Sequence, residues 1–304
     1  MIDMTLKTSA LTIVVLAFAT GALGCAAEPL ADESAAEGSA GESEAEALEE
    51  EARKNAPAEG PVLENDAPVG VIKGGKLVGK KYPALLAFHN GSSICSGTKI
   101  GPRTILTAAH CVSQNTPQGL ITAARHPGYA NGKTFFVVSG RAFNVAAPAH
   151  TPYVISKVTT HPSWNFSGAS APAQLALSGK LDLAIIETTA PIAGYGVAKL
   201  DDKKIGAGTS LTPAGYGRAS ISDNSGVYTA RYFTGKAAQE NVKNYTYIPG
   251  PNGTLFGDSG GPVFFGDSNV VVGVNSYVVV NANNVITSSA SVEIPVKWAK
   301  NNAK

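Results

Sequence analysis

From about residue 67 onward the chain is broken into short apolar segments, and these breaks constrain its fold more than any other feature. Pro83–Phe88, Lys99–Leu106, Thr134–Val138, Leu183–Glu187 and Val270–Val280 are rich in Val, Ile, Leu, Phe and Tyr, and clusters of Gly, Pro, Asn or Ser separate them. Such segments suit strands, and the residues between them suit tight turns. No run between residues 67 and 290 keeps helical periodicity for three turns. The 33 Gly and 18 Pro among 304 residues also argue against a helical bundle or coiled coil. The pattern predicts an antiparallel all-β architecture. It is closed by a short helix within Ile294–Asn302, with Ile294, Val296 and Trp298 packing on the body.

The N-terminal part is of another kind. Leu11–Leu23 is an apolar run of 13 residues, too short to cross a bilayer but suited to a signal-peptide core, so export is expected. The run ends at Gly24-Cys25, which resembles the lipobox of bacterial lipoproteins, where the Cys becomes the lipidated first residue. Ala22 departs from that pattern, which usually has Leu there. Lipidation of Cys25, with membrane attachment at the outer membrane or cell surface, and ordinary cleavage with secretion both stay open. Of the three Cys, Cys95 and Cys111 stand 16 apart and can pair, which leaves Cys25 as the odd one in an exported chain.

Residues 26–70 consist largely of Ala, Glu, Gly, Ser and Pro without aromatics, so they cannot bury enough surface to offset the entropy of ordering. A disordered tether or propeptide is expected. The net charge of +1 hides a division of charge along the chain. Residues 28–66 carry 13 acidic and two basic residues, a net of −11, whereas residues 67–304 carry 21 basic and 9 acidic, a net of +12. Like charge keeps such a spacer extended; the same segment is also able to shield the cationic part. The predicted organisation is a signal segment over 1–25, an acidic segment over 26–70 and one folded domain over 71–304.

Three motifs carry chemistry. Ser259 lies in Gly257-Asp258-Ser259-Gly260-Gly261-Pro262, where glycines admit a close backbone approach. A Ser hydroxyl becomes a nucleophile only with a base to take its proton and amide donors to meet the oxyanion. His110 lies in Thr107-Ala108-Ala109-His110-Cys111, directly after a strand-like segment. Asp182 opens the apolar run Leu181–Ile186, where a buried carboxylate requires a partner. Read singly, His89, His126, His150 and His161 are structural, His89 lying near enough to the Cys95 loop to line the site.

These motifs, in the order His–Asp–Ser, resemble the chymotrypsin/trypsin-like serine endopeptidases over roughly residues 71–300. The resemblance implies two six-stranded antiparallel Greek-key β-barrels with the site in the cleft between them. It further implies that His110 is general base and acid, Asp182 its orienting partner and Ser259 the nucleophile, with backbone N–H groups of Gly257 and Ser259 as oxyanion hole. Cys95 would bridge to Cys111. Gly215-Tyr216-Gly217 resembles the segment that opens the second barrel, and Ser276-Tyr277 the strand that pairs with substrate. Gly253, six residues before Ser259, stands where relatives that cleave after Arg and Lys carry Asp. Val278 replaces a Gly of wide-pocket relatives, so small or medium apolar side chains are expected before the scissile bond. Val71-Ile72-Lys73-Gly74 resembles a mature N-terminus whose freed amine would pair with Asp258, making the whole chain a zymogen.

Departures from the family accompany these matches. The stretch from His110 to Asp182 is long and implies an insertion within residues 112–155, and the second barrel has no Cys to form disulfides. The partner expected is a protein or peptide substrate, acted on by a monomer. Nucleic acid is not expected, because the basic residues are scattered and no recognition motif accompanies them. No HExxH, zinc-spaced Cys/His set or phosphate-binding Gly loop is present, so no cofactor or metal is expected. A catalytically silent homologue acting as a surface-binding module is the alternative to an endopeptidase.

Overall fold

The computed structural model describes residues 75–303 apart from 92, 139–149, 220–227, 239–242 and 282–284. The expected signal segment, the acidic segment, Cys25 and Val71 lie outside the described residues.

Six strands form a closed antiparallel barrel: β1 (Leu85–His89), β2 (Ile94–Gly101), β3 (Thr104–Thr107), β4 (Thr134–Val138), β5 (His150–Thr160) and β6 (Ala184–Thr188). Around the barrel they run β6-β3-β2-β1-β4-β5. One expected strand, Lys99–Leu106, is in fact two. The Pro102-Arg103 turn breaks it, because Pro has no N–H for a ladder and the pairing of Gly101 with Thr104 makes a tight hairpin.

Six further strands follow: β7 (Ser210–Gly215), β8 (Arg231–Tyr232), β9 (Tyr245–Pro249), β10 (Pro262–Phe265), β11 (Val270–Val280) and β12 (Ile286–Glu293). Their order is β8-β7-β10-β11-β12-β9, the same sequence of neighbours as in the first barrel, opened between β9 and β8. Short strands extend this sheet. Lys76–Leu77 pairs with β8, Lys199–Leu200 runs parallel to β11, and Gly235–Lys236 pairs with β7. The last of these helps to bridge the open ends, since Ala238 N–H just beyond it donates to Tyr247 O of β9 at 2.8 Å. Side-chain packing replaces disulfides here. Leu211, Ile248, Val263 and Val272 are buried together, with Gly235 at the point of closest approach to Ile248.

The stretch between β3 and β6 carries a separate three-stranded sheet made of Ser113–Asn115, Ile121–Arg125 and Ala169–Ser170. Two of its strands fall within residues 112–155, and Ala169–Ser170 lies beyond them. Helix α1 (Pro172–Leu177) follows it, and helix α2 (Val296–Asn301) ends the fold. Ile294 and Val296 are buried, and the Trp298 ring meets His161 edge-on at 5.1 Å, so the chain end packs on the region preceding Asp182. Among the described residues no helix is long and apolar enough to cross a membrane.

Candidate active site

His110 sits in a 3₁₀ turn, Ala109–Val112, that begins two residues after β3 ends. The Cys95–Cys111 disulfide, with Cα atoms 6.2 Å apart, ties this turn to β2. Asp182 lies two residues before β6, and β6 pairs directly with β3. The ladder therefore brings the two residues together although 72 positions separate them. His110 Nδ1 donates to Asp182 Oδ2 at 2.7 Å, and the His110 backbone N–H donates to Oδ1 at 2.9 Å. An ionised carboxylate only accepts, so Nδ1 carries the ring proton and Nε2 is left as the basic nitrogen.

Ser276 completes the carboxylate's surroundings, its hydroxyl donating to Oδ2 at 2.6 Å. The register of β11 against β12 shifts between Asn275 and Tyr277, so Ser276 is the bulged residue, and a bulge is a device for re-aiming a side chain. The Asp182 N–H donates to Tyr245 Oη, whose own proton goes to Lys180 O. Burial alone would push the Asp182 carboxyl up. The His110 charge, the bonds from its ring and backbone and the Ser276 hydroxyl together outweigh burial and hold it below the usual carboxylate range.

Ser259 enters from the second sheet, in the loop before β10, and is half-buried. The first barrel grips this loop through β2. Ser96 N–H donates to Ser259 O at 2.8 Å, Ser96 Oγ donates to Gly257 O at 2.7 Å, and Ser96 Oγ accepts from Tyr216 N–H at 2.9 Å. The Ser259 hydroxyl is not hydrogen-bonded to the His110 ring in this state, and that contact is commonly long in free enzymes.

The glycines around Ser259 are explained by contact. Gly260 has φ +83°, and a Cβ there would run into Thr107 Oγ1 and Ser96 O. Gly257 has φ +97° and lies against Gly217 Cα. Asp258, Gly260 and Gly261 donate their N–H groups to Leu255, Asn275 and Asp258 carbonyls respectively. Among the described residues no acceptor takes the N–H of Gly257 or Ser259, which leaves both for an incoming oxygen.

Asp258 is buried and turns away from this opening, accepting from Gly217 N–H at 2.7 Å and Leu255 N–H at 2.8 Å. Its expected partner Val71 is outside the described residues. At Gly253 a Cβ would meet Ile286 Cγ2 at 2.7 Å and Ser289 Oγ at 2.8 Å, and Val278 is paired across the sheet with Ser289. Gly253 is therefore packed closely against Ile286 and Ser289. Tyr277 turns to Tyr247, their hydroxyls 2.6 Å apart. His89 meets His150, with ring nitrogens 2.9 Å apart, and stacks on Phe136.

One group of His, Cys, Asp or Glu ligand atoms among the described residues is close enough to hold a cation, namely Cys95, His110 and Cys111. Two of its members are spent in the disulfide. The motifs did not single out Ser96, Asn275 or Tyr245. The signal for Ser96 was its place between Cys95 and Gly97, and Asn275 adjoins Ser276. Asn275 Nδ2 donates to Ala214 O at 2.9 Å and Asp258 O at 3.3 Å, joining the Ser259 loop to β7.

A family model described as Trypsin matches residues 71–299. A curated protein from Saccharopolyspora erythraea named Trypsin is 26% identical over 210 residues, covering 64% of this chain and 80% of its own. Among solved structures the chain resembles neuropsin, a serine protease expressed in the limbic system of mouse brain, with TM-score 0.53 and 16% identity. That alignment covers 72% of this chain and 94% of neuropsin and concerns the fold.

Proposed function

Since this chain belongs to the trypsin family and is therefore a serine endopeptidase acting on proteins or peptides, we propose that His110, Asp182 and Ser259 are its catalytic triad. The observation that carries this reading is the doubly bonded His110–Asp182 pair, facing a Ser259 loop that β2 holds in place.

In the proposed reaction Ser259 Oγ attacks the scissile carbonyl carbon as His110 Nε2 takes its proton. The carbonyl oxygen becomes an oxyanion held by the N–H groups of Gly257 and Ser259, donors each worth a few kcal/mol in such sites. Asp182 stabilises the imidazolium through Nδ1. Collapse breaks the C–N bond, with the His110 proton passing to the leaving amine, and an acyl group remains on Ser259. Water, deprotonated by His110, then releases the acid and restores the hydroxyl.

Gly253 lies against Ile286 and Ser289 and brings no carboxylate, and the branched Val278 is paired with the same Ser289. This supports cleavage after small or medium apolar residues. The disulfide fits an exported protein, since such bonds persist in oxidising compartments.

A fluorophosphonate probe tests the assignment. The expected result is labelling of one site, abolished by Ser259→Ala, together with a peptide-library profile favouring Ala or Val before the cleaved bond. Failure of the folded protein cut to begin at Val71 to label would overturn the triad and favour a silent homologue. A preference for Arg, Lys or Phe would overturn the specificity.

A further inference from the structure

Each N–H of the proposed oxyanion hole belongs to a peptide unit whose carbonyl lies in the preceding residue. A trans peptide is planar and points its C=O and N–H in opposite directions, so whatever holds the oxygen also aims the N–H. For Gly257 the oxygen is that of Phe256, which accepts from the backbone N–H of Arg218 at 2.8 Å. For Ser259 it is that of Asp258, and here a side chain takes part. Asn275 Nδ2 donates to Asp258 O at 3.3 Å and to Ala214 O of β7 at 2.9 Å.

The amide reaches that carbonyl through a space left open for it. Asn275 is 1% exposed, and its backbone is bonded twice to the Ser259 loop. Gly260 N–H donates to Asn275 O at 2.8 Å, and Asn275 N–H donates to Gly261 O at 2.9 Å. A Cβ at Gly261 would run into Ala214 O and crowd both Asp258 O and Asn275 Nδ2, the three groups that meet here. The orientation of the amide follows from its chemistry, since turning it over would set Oδ1 against two carbonyl oxygens.

Packing alone does not account for an amide at this position. Its N–H groups are used, but no protein group among the described residues donates to the buried Oδ1. An apolar side chain of the same size would fill the site without leaving an acceptor unpaired. What the amide adds is a donor fixed to the sheet. Gly261 N–H also bonds Asp258 O, at 3.0 Å, but it lies in the same loop and ties the loop only to itself. The carbonyls on either side, Gly257 O and Ser259 O, are held by Ser96 of the first barrel, and Asn275 holds the one between them. A hydrogen bond to the oxygen also polarises the peptide and strengthens its N–H as a donor.

We propose that Asn275 is a positioning residue for the reaction. Its amide holds the Asp258–Ser259 peptide so that the Ser259 N–H stays directed at the oxygen that becomes charged in the transition state. The proposal rests on the protease reading of the site and adds to it a side chain that acts through one peptide bond. Removing an oxyanion donor outright costs about 10²–10³ in kcat, so a donor present but misdirected should cost about tenfold. Substrate binding should change little, because the neutral carbonyl depends on that donor less than the oxyanion does.

The test begins with fluorophosphonate labelling of the full chain, both intact and cut before Val71. The form that labels is compared with Asn275→Leu and Asn275→Asp prepared in the same way. Each is measured for kcat and KM on a peptide, for affinity towards a peptidyl trifluoromethyl ketone, whose adduct with Ser259 carries the oxyanion, and for the infrared carbonyl frequency of the acyl-enzyme. In both variants kcat and ketone affinity are expected to fall together by about tenfold, with KM within a few-fold of the parent and the carbonyl stretch moved to higher frequency. The proposal is overturned if folded Asn275→Leu leaves kcat and ketone affinity unchanged. It is overturned equally if the loss comes through KM with the carbonyl frequency unmoved, the mark of a packing role. Should neither variant fold, the side-chain amide proton resonances of Asn275 in the parent decide. They should shift when the ketone adduct forms, and unshifted resonances overturn the proposal. Absence of labelling in both wild-type forms would instead refute the protease reading, and this proposal with it.

Discussion

Ser276 gives Asp182 one of three hydrogen bonds, and the surroundings of that carboxylate determine what the bond is worth. Asp182 is 2% exposed, so water replaces a lost donor poorly. Removing the hydroxyl leaves Asp182 with the two bonds from His110 and lets burial count for more, so its carboxyl rises. A hydrogen bond to a charged group contributes roughly 1.5–3 kcal/mol, about a factor of ten in rate if half of it is felt in the transition state. Ser276→Ala is accordingly expected to lower kcat/KM about tenfold, with the acid limb of the pH–rate profile displaced upward. A profile of unchanged shape and height would show that the Ser276 hydroxyl does not support the carboxylate.

At the level of elements, the strand pattern and the pairing of Cys95 with Cys111 were legible because both depend on local composition and a distinctive motif. Three other features were not. The turn inside Lys99–Leu106 is signalled by Pro102, yet the apolar residues on either side read as one strand. The bulge at Ser276 arises from the register of β11 against β12, which no local pattern records. The grip of Ser96 on the Ser259 loop spans more than 160 positions and exists only once two sheets have packed.

The disulfide is the covalent part of that grip, since it fixes the turn that presents His110 to the strand that carries Ser96. It closes a loop of 16 residues. Such a closure contributes roughly 3 kcal/mol through the unfolded state, a fall of about 5–10 °C in Tm for a domain this large. The double variant Cys95→Ala/Cys111→Ala should show that fall in calorimetry and a larger loss of kcat than of KM, because His110 is no longer pinned. An unchanged melting temperature would mean that packing alone sets this turn.

For the whole molecule, the two buried acids that flank the site act on stability in opposite directions. Asp182 is held below its ordinary value, so the stability it contributes is present above the unfolded value near 3.8 and is lost as pH falls through the folded one. Asp258 is raised from 3.8 to about 7, so the folded state binds the extra proton between those values. Its contribution is complete below the unfolded value and is lost as pH rises through about 7, a change on the order of a few kcal/mol. His89 and His161, both lowered mainly by burial, favour the folded state as pH rises towards 6.5 and partly mask that loss. Asp258→Asn isolates it, because the amide keeps the shape and cannot ionise. The melting temperature of the parent minus that of the variant should fall steadily from pH 4 to pH 8, and a flat difference would refute the assignment. If it falls as expected, Asp258 stabilises the fold most where it is neutral and the loop of Gly257–Ser259 is least firmly anchored. Ionising Asp258 near neutral pH then carries a stability cost, the kind of trade-off expected where a charged group is buried for function.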